Sequence, residues 1–389
     1  MKMKNSGILA PMANDTAKKA IALHKKLGGK IRIVPAAPVR NRAELALVYT
    51  PGVAAVSMLV AKEPEKAREY TIKGRTVAVV SDGSAVLGLG NIGPLGALPV
   101  MEGKCALFKT FGDVEAIPLV LDTQDTEEII ETVKRIAPAF GGINLEDISA
   151  PKCFEIERRL IEELDIPVMH DDQHGTAIVT LAGIINALKV VKKEISESRI
   201  VISGAGAAGT ATAKILYAAG ARKILVLDRQ GIIARDRMLE GHKKELAFMT
   251  NPNIEHGELK DALMNADILI GVSGPGLARA SDIKLMAKKA IVFALANPTP
   301  EIMPDEAKKG GAMIVATGRS DFPNQVNNSL VFPGVFRGAL DKGVKKITEE
   351  MKLRAAFAVA DLIKKPAANK ILPDMFDKRV AKAVAKAIY

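Results

Sequence analysis

The segment running from Ile200 to Asp228 limits the possible folds of this chain more than any other. An apolar run, Ile200-Val-Ile-Ser, leads into Gly204-Ala205-Gly206-Ala207-Ala208-Gly209. A stretch of small residues follows, then Ile224-Leu-Val-Leu, which ends in Asp228. Strand, glycine turn, helix and a second strand closed by a carboxylate make one βαβ unit. The first glycine permits the tight turn, the second lets the backbone approach a pyrophosphate, and the third lets the helix lie close to the strand. The helix N-terminus then faces phosphate, and Asp228 faces the ribose hydroxyls. Strands are expected to continue at 267–272, 290–296 and 313–316, giving a parallel α/β sheet. A carboxylate at 228 disfavours a 2′-phosphate and leans the coenzyme toward NAD. Arg229, directly after it, suits that phosphate, so NADP stays open.

A second GxGxxG, Gly88-Leu-Gly-Asn-Ile-Gly93, lacks this context. Pro94 follows at once, and no strand ending in an acidic residue lies at the required distance. It reads as a tight loop whose backbone approaches either substrate or a packed neighbour.

Upstream, the spacing predicts a helix over 15–27 stopped by Gly28-Gly29, a proline-rich connector, and a helix within 45–60. Pro51 would start that helix and leave Tyr49 just before it. Strands are expected at 76–80, 105–108, 116–121 and 167–170, and helices at 126–137 and 151–164. The 126–137 helix is opened by Asp125 as a cap. The apolar helix over 175–191 is more hydrophobic than an exposed helix should be, which places it between two domains. The expected division is 1–173 and 174–389, with a helical tail over about 352–389 packing back on the first domain.

Two short acidic clusters stand out: Glu146-Asp147 and Asp171-Asp172. Several carboxylates gathered at strand ends repel one another without a cation, and such hard oxygen ligands suit Mg²⁺ or Mn²⁺. His170 and His174 share i,i+4 spacing that invites zinc. No helix is expected across Asp171-Asp172-Gln173, so both histidines read as structural or supporting residues.

The formal charge of +11 raises the question of nucleic acid. The lysines are dispersed, aromatics make up 4%, and there is no Trp to stack a base, which argues against it. A mild positive field suits a dicarboxylate substrate. Cys105 and Cys153 form no CxxC pair, so neither a disulfide framework nor a thiolate zinc site is expected. The contiguous apolar runs fall short of the ~20 residues of a membrane span, and the N-terminal run is too short for a signal peptide. The expectation is a cytoplasmic protein without a membrane partner.

Several motifs occur in order along nearly the whole chain: Tyr49-Thr-Pro-Gly-Val, Met101-Glu-Gly-Lys-Cys-Ala-Leu-Phe-Lys109, Asn144-Leu-Glu-Asp-Ile, His170-Asp-Asp-Gln-His-Gly-Thr-Ala, the Gly204 turn, Ala296-Asn-Pro-Thr, and Asn324-Gln-Val-Asn-Asn-Ser-Leu-Val-Phe-Pro-Gly334. Together they resemble the signatures of malic enzyme in its short prokaryotic form. The resemblance implies an N-terminal α/β malic domain followed by a Rossmann-like NAD(P)-binding domain. It implies oxidative decarboxylation of L-malate to pyruvate and CO₂ with NAD(P)⁺ and Mg²⁺ or Mn²⁺, in a homodimer or larger homo-oligomer. By motif, Glu146, Asp147 and Asp172 are the implied metal ligands. Lys104 is the implied general base, tuned by Asp171, and Tyr49 the general acid. Asn297 and Asn328, with Asn327 beside it, contact substrate or the nicotinamide end. A lysine acting as base needs a pKa pulled below its ordinary value by burial or nearby positive charge.

The chain departs from larger malic enzymes at one point. They carry an arginine before the Leu-Gly-Leu-Gly loop to grip a malate carboxylate, whereas this chain reads Gly83-Ser-Ala-Val-Leu-Gly-Leu-Gly90. Ser84, the loop amides or the asparagines are the expected substitutes. The gap keeps a decarboxylase of another 2-hydroxy acid as an alternative. A non-catalytic NAD-binding sensor is a further one, although a sensor has no need of Tyr49, Lys104 and a carboxylate set together.

Overall fold

A computed structural model describes residues 11–86 and 88–389. Two sheets organise it. The first contains β1 (Thr76–Ser81), β2 (Glu115–Val120), β3 (Gly142–Leu145) and β4 (Val168–His170) in the order β2-β1-β3-β4. All its pairs are parallel. The second contains β5 (Arg199–Ser203), β6 (Lys223–Asp228), β7 (Gly231–Ile232), β8 (Ile268–Gly271), β9 (Ile291–Ala294) and β10 (Ile314–Thr317). Its order is β10-β9-β8-β5-β6-β7, parallel except for the short β6–β7 pair. This is the doubly wound dinucleotide-binding topology expected from the Gly204 unit. Helices cover both faces, so β1, β3, β4, β8, β9 and β10 are buried along their whole length.

One apolar core spans both sheets, from Val77, Phe108 and Met169 through Ile178 and Leu181 to Ile202 and Phe293. The Asp171–Val191 helix runs through it, with Phe293 so close to Gly183 that an added Cβ would stand 2.9 Å from its ring. Phe108 meets Phe332 and Phe336 edge-on at 4.7 and 5.5 Å between centroids. These rings tie the Gly93–Gly112 helix to the Phe332–Lys342 helix. Emptying the Phe108 site to Ala costs on the order of 3–5 kcal/mol. Both cysteines are buried thiols, pushed up to about 12 chiefly by that burial.

Three local expectations fail. Residues 105–108 lie inside the Gly93–Gly112 helix, not in a strand. Met101, Cys105 and Phe108 are its buried face, and their spacing of four and three residues is helical. The helix expected from 175 starts at Asp171 and includes the Asp-Asp-Gln segment. Acidic residues in a first turn complement the helix dipole, so they begin a helix rather than prevent one. The tail is two helices, Glu349–Ala360 and Arg379–Ala387, joined by a non-helical stretch.

The N-terminal helices Arg42–Val48 and Val53–Lys62 contain no buried residue, and the Thr50–Pro51 bond between them is cis. The span Arg42–Lys62 and the core helix Asp171–Val191 both reach the length and hydropathy of a membrane span. The second is packed inside the protein, and the first is interrupted at Tyr49–Gly52.

Candidate active site

In the first sheet β1 and β3 are neighbours, with β2 and β4 outside them. The crevice beyond the carboxyl ends of such strands is where ligands bind in open α/β sheets. Three loops meet there: Asp82–Ser84 after β1, Glu146-Asp147 after β3, and Asp171-Asp172 after β4. The register pairs Leu145 with His170, so Glu146 and Asp171 emerge side by side. Glu146 N–H donates to the Val80 carbonyl at 2.9 Å. Asp147 has φ +54°, a left-handed conformation that aspartate tolerates better than most residues.

Glu146, Asp147 and Asp172 each bring an oxygen to within 4.8 Å of the others, as the motif resemblance implies for a metal centre. Asp172 Oδ2 accepts the Asp147 N–H at 2.7 Å, and Glu146 Oε2 accepts the Asn144 amide at 2.9 Å. Burial pushes the Glu146 carboxyl well above its ordinary range, against the pull of Lys104, and Asp172, Asp171 and Asp147 push it further. A divalent cation relieves this repulsion, and oxygen-only donors suit Mg²⁺ or Mn²⁺. Asp171 Oδ1 and Asn144 Oδ1 are buried acceptors without a hydrogen bond among the described residues, so the site also has acceptor capacity to spare for a bound group.

Lys104, 8% exposed, comes from the middle of the Gly93–Gly112 helix. Its Nζ lies 2.6 Å from Asp171 Oδ2, 2.7 Å from Glu146 Oε1 and 4.3 Å from the Phe332 ring centroid. The Asp171 contact matches expectation; the Glu146 contact does not follow from sequence spacing. Burial favours the neutral amine, yet Asp171, Glu146 and Asp172 outweigh it and hold the ammonium above its ordinary pKa.

Gly175 makes this arrangement possible. A Cβ there would stand 1.9 Å from Asp171 Oδ1 and 3.1 Å from the Asn328 Cβ. Asn328 therefore sits beside the Asp171–Lys104 pair. Asn327 plays a different part, because its side chain caps the Asn328–Leu330 turn, accepting from Ser329 N at 2.9 Å and Ser329 Oγ at 2.5 Å. The Gly88 loop approaches the second sheet, since a Cβ at Gly88 would lie 2.5 Å from the Asn297 carbonyl. Asn297, ahead of a cis Pro298, thus lies beside this loop just past the carboxyl end of β9. Ser84 is already committed, donating to Asp82 Oδ1 at 2.6 Å and accepting from Ser149 N at 2.9 Å. Lys152 completes that loop by pairing with buried Asp82 at 2.5 Å. Tyr49 is not gathered with the cluster. It is 66% exposed, and its hydroxyl makes no hydrogen bond among the described residues.

In the second sheet, Gly204 to Gly209 form the expected cradle. Gly204 has φ +124°, and a Cβ at Gly209 would stand 1.8 Å from the Gly204 carbonyl. A Cβ at Gly206 would meet nothing within 4 Å, so that backbone is open to a pyrophosphate. Ala205 is buried, and Ala207 and Ala208 open the Ala207–Ala218 helix. Asp228 ends β6 but is not free: Arg237 donates to it at 3.0 and 3.1 Å and Lys243 at 2.8 Å. Although burial works against the charge, Lys243, the Gln230 N–H and Arg237 hold its carboxyl below the usual range. Sequence spacing gave no signal for Arg237 or Lys243. Arg229 is exposed.

The chain matches the malic enzyme N-terminal domain over residues 28–128 and 123–161, and the malic enzyme NAD binding domain over 173–389. It is 56% identical over 365 residues to an NAD-dependent malic enzyme of Geobacillus stearothermophilus, covering 93% of this chain and 76% of that one. It is 49% identical to an NADP-dependent malic enzyme of Halomonas elongata, covering 93% and 86%. The crystal structure of an NAD-dependent malic enzyme from Thermotoga maritima superposes with a TM-score of 0.92 at 50% identity, covering 95% of this chain and 98% of that one. The doubly wound coenzyme fold, the carboxylate–lysine cluster and these matches agree: the chain belongs to the malic enzyme family.

Proposed function

We propose that this chain oxidatively decarboxylates L-malate to pyruvate and CO₂, the reaction of its family, with Glu146, Asp147 and Asp172 holding Mg²⁺ or Mn²⁺. The observation that carries this reading is a set of three carboxylates within 4.8 Å of one another, one of them ion-paired to a buried lysine at 2.7 Å. When bound, the cation supplies Lewis-acid polarisation at the substrate C2 oxygen, and NAD(P)⁺ supplies the two-electron acceptor.

The chain's own residues do the rest. Lys104 removes the C2 hydroxyl proton, and Asp171 orients its Nζ and balances the positive charge that the protonated lysine then carries. For this the ammonium must first lose a proton. Neutralising Glu146 and Asp172 removes part of the hold that keeps it charged. Asn328 orients substrate beside Asp171, while Asn297 lies at the nicotinamide end. The Gly88 loop screens the crevice from water, and the Tyr49 hydroxyl returns a proton to C3.

The exposed position of Tyr49 supports a homodimer in which the partner covers the N-terminal helices. Leu47 and Met58 on those helices are 78% and 71% exposed, more apolar surface than a monomer commonly leaves uncovered. Tyr49 then acts on the partner's Lys104 cluster. Mixing inactive Tyr49→Phe and Lys104→Ala proteins tests this, since only a shared site regains activity on exchange of subunits.

The two domains are proposed to divide at 173/174, with the tail helices lying against the first. The presence of Asp228 supports a lean toward NAD, with NADP accepted through Arg229 as the second possibility. The setting is cytoplasmic, with no nucleic acid or membrane partner. The decisive assay supplies malate, each coenzyme, and Mg²⁺ or Mn²⁺ or a chelator. NAD(P)H formation that stops on chelation is expected; silence with metal supplied would sink the reading.

A further inference from the structure

Behind the carboxylate cluster lies a buried polar chain that the reaction above does not use. Glu157, on the Lys152–Glu163 helix, is 6% exposed. Its Oε1 accepts the His170 backbone N–H at 2.7 Å, and its Oε2 accepts the Gln173 side-chain amide at 3.0 Å. Oε2 also accepts His174 Nε2 at 3.0 Å, and Lys352 donates to His174 Nδ1 at 3.0 Å. Lys352 is itself buried and comes from the Glu349–Ala360 helix near the end of the chain.

The donor and acceptor count has one solution. An ionised carboxylate only accepts, so the Gln173 atom facing Glu157 is its NH₂ nitrogen. The same NH₂ group lies 3.1 Å from His170 Nδ1 and so must donate there as well. Nδ1 is therefore an acceptor, and the ring proton of neutral His170 sits on Nε2. That nitrogen is completely buried, makes no hydrogen bond among the described residues, and lies 3.3 Å from Asp172 Oδ2. Asp172 Oδ2 is the same atom that accepts the Asp147 N–H at 2.7 Å.

We propose that His170 is a positioning residue for the cation site: Glu157 and Gln173 fix its Nε2–H tautomer, and that N–H, 3.3 Å from Asp172 Oδ2, steadies the carboxylate by electrostatic attraction. The inference rests on the reading of Glu146, Asp147 and Asp172 as the cation ligands. Ligating groups lose metal affinity when an outer partner that orients them is removed, typically by ~10–100-fold.

The test is a Mn²⁺ titration of the full chain without substrate, followed by the paramagnetic signal of free Mn²⁺. NADH fluorescence serves as the folding control, because the coenzyme crevice lies in the other sheet. His170→Phe keeps ring volume and removes the donor; Mn²⁺ Kd is expected to rise ~10–100-fold. His170→Gln returns an N–H near the Nε2 position and is expected to recover most of that loss, which a merely structural role would not predict. Gln173→Leu releases the tautomer and is expected to fall between the two. A folded His170→Phe protein with wild-type Mn²⁺ affinity overturns the proposal. If that variant does not bind NADH, Gln173→Leu decides, and wild-type affinity there overturns it equally. If Asp172→Asn binds Mn²⁺ as wild type does, the cation-site reading itself falls, and the role of His170 with it.

Discussion

Lys104 Nζ lies 2.6 Å from Asp171 Oδ2, and the other oxygen of that carboxylate, Oδ1, has no hydrogen-bond partner among the described residues. Asp171 thus uses one oxygen to hold the lysine and keeps the second for something the protein does not supply. Its 0% exposure makes the pairing hard to replace, since water cannot substitute for either partner. Lys104→Ala is expected to lower kcat by ~10²–10⁴, the usual worth of a positioned acid–base group. NADH binding should persist. Steady-state rates beside NADH fluorescence check this, and normal turnover in the variant would remove Lys104 from its role.

Gly175 offers a sharper test, because it separates geometry from helix propensity. In an exposed helix Gly→Ala stabilises by about 1 kcal/mol. Here the new Cβ would meet Asp171 Oδ1 at 1.9 Å, so the carboxylate must leave its place against Lys104. Gly175→Ala is expected to abolish most turnover and to lower the melting temperature. A variant that gains stability and keeps its rate contradicts the assigned packing.

Metal removal has a readout independent of turnover. A ligand that binds only the folded state stabilises it by RT ln(1 + [L]/Kd), about 2.7 kcal/mol at a hundredfold excess over Kd. Mn²⁺ is expected to raise the melting temperature of the wild type, and a chelator to reverse it. Glu146→Gln and Asp172→Asn should show little or no Mn²⁺ shift. Equal shifts in all three proteins would place the cation elsewhere.

Asp228 predicts coenzyme preference. Its carboxylate is held by Arg237 and Lys243 at the end of β6, so its removal leaves two cations where a ribose is read. Asp228→Ser is expected to shift the ratio of kcat/KM for NADP over NAD upward by about tenfold, the worth of one charged hydrogen bond. Arg229→Ser should move the ratio the other way. The measurement is kcat/KM for both coenzymes in each variant.

Glu157 predicts an acid-side stability change. Burial raises its pKa, but His174, Lys352 and His170 outweigh it and hold the carboxyl down to about 2, against an ordinary 4.5. A depressed carboxyl contributes stability that is complete above about 4.5 and is lost as pH falls toward 2. Glu157→Gln should therefore be less stable than wild type at neutral pH, with the difference shrinking across that acid range. Melting curves of both proteins against pH check it, and a constant gap contradicts the assignment.

Sequence alone was enough for the coenzyme-binding βαβ unit, which depends on neighbours along the chain. The Gly204 cradle and the acid ending β6 are spaced by one βαβ unit, and their geometry follows from that spacing. The ordered motifs likewise marked Glu146, Asp147, Asp172 and Lys104 before any contact was known. What failed locally failed for want of packing. Residues 105–108 look like a strand until a second layer shows that Cys105 and Phe108 share a helical face with Met101. Asp171 and Asp172 look like a helix breaker until the helix dipole and Lys104 are counted. Contacts between residues far apart in the chain were decided only by the tertiary structure. Lys104 meets Glu146 across 42 positions, Lys352 meets His174 across 178, and Gly88 meets Asn297 across 209. Such contacts leave no periodic trace, because sheet order and helix docking set them. The same holds for Tyr49, which a motif assigned to the reaction and the folded chain leaves on its surface.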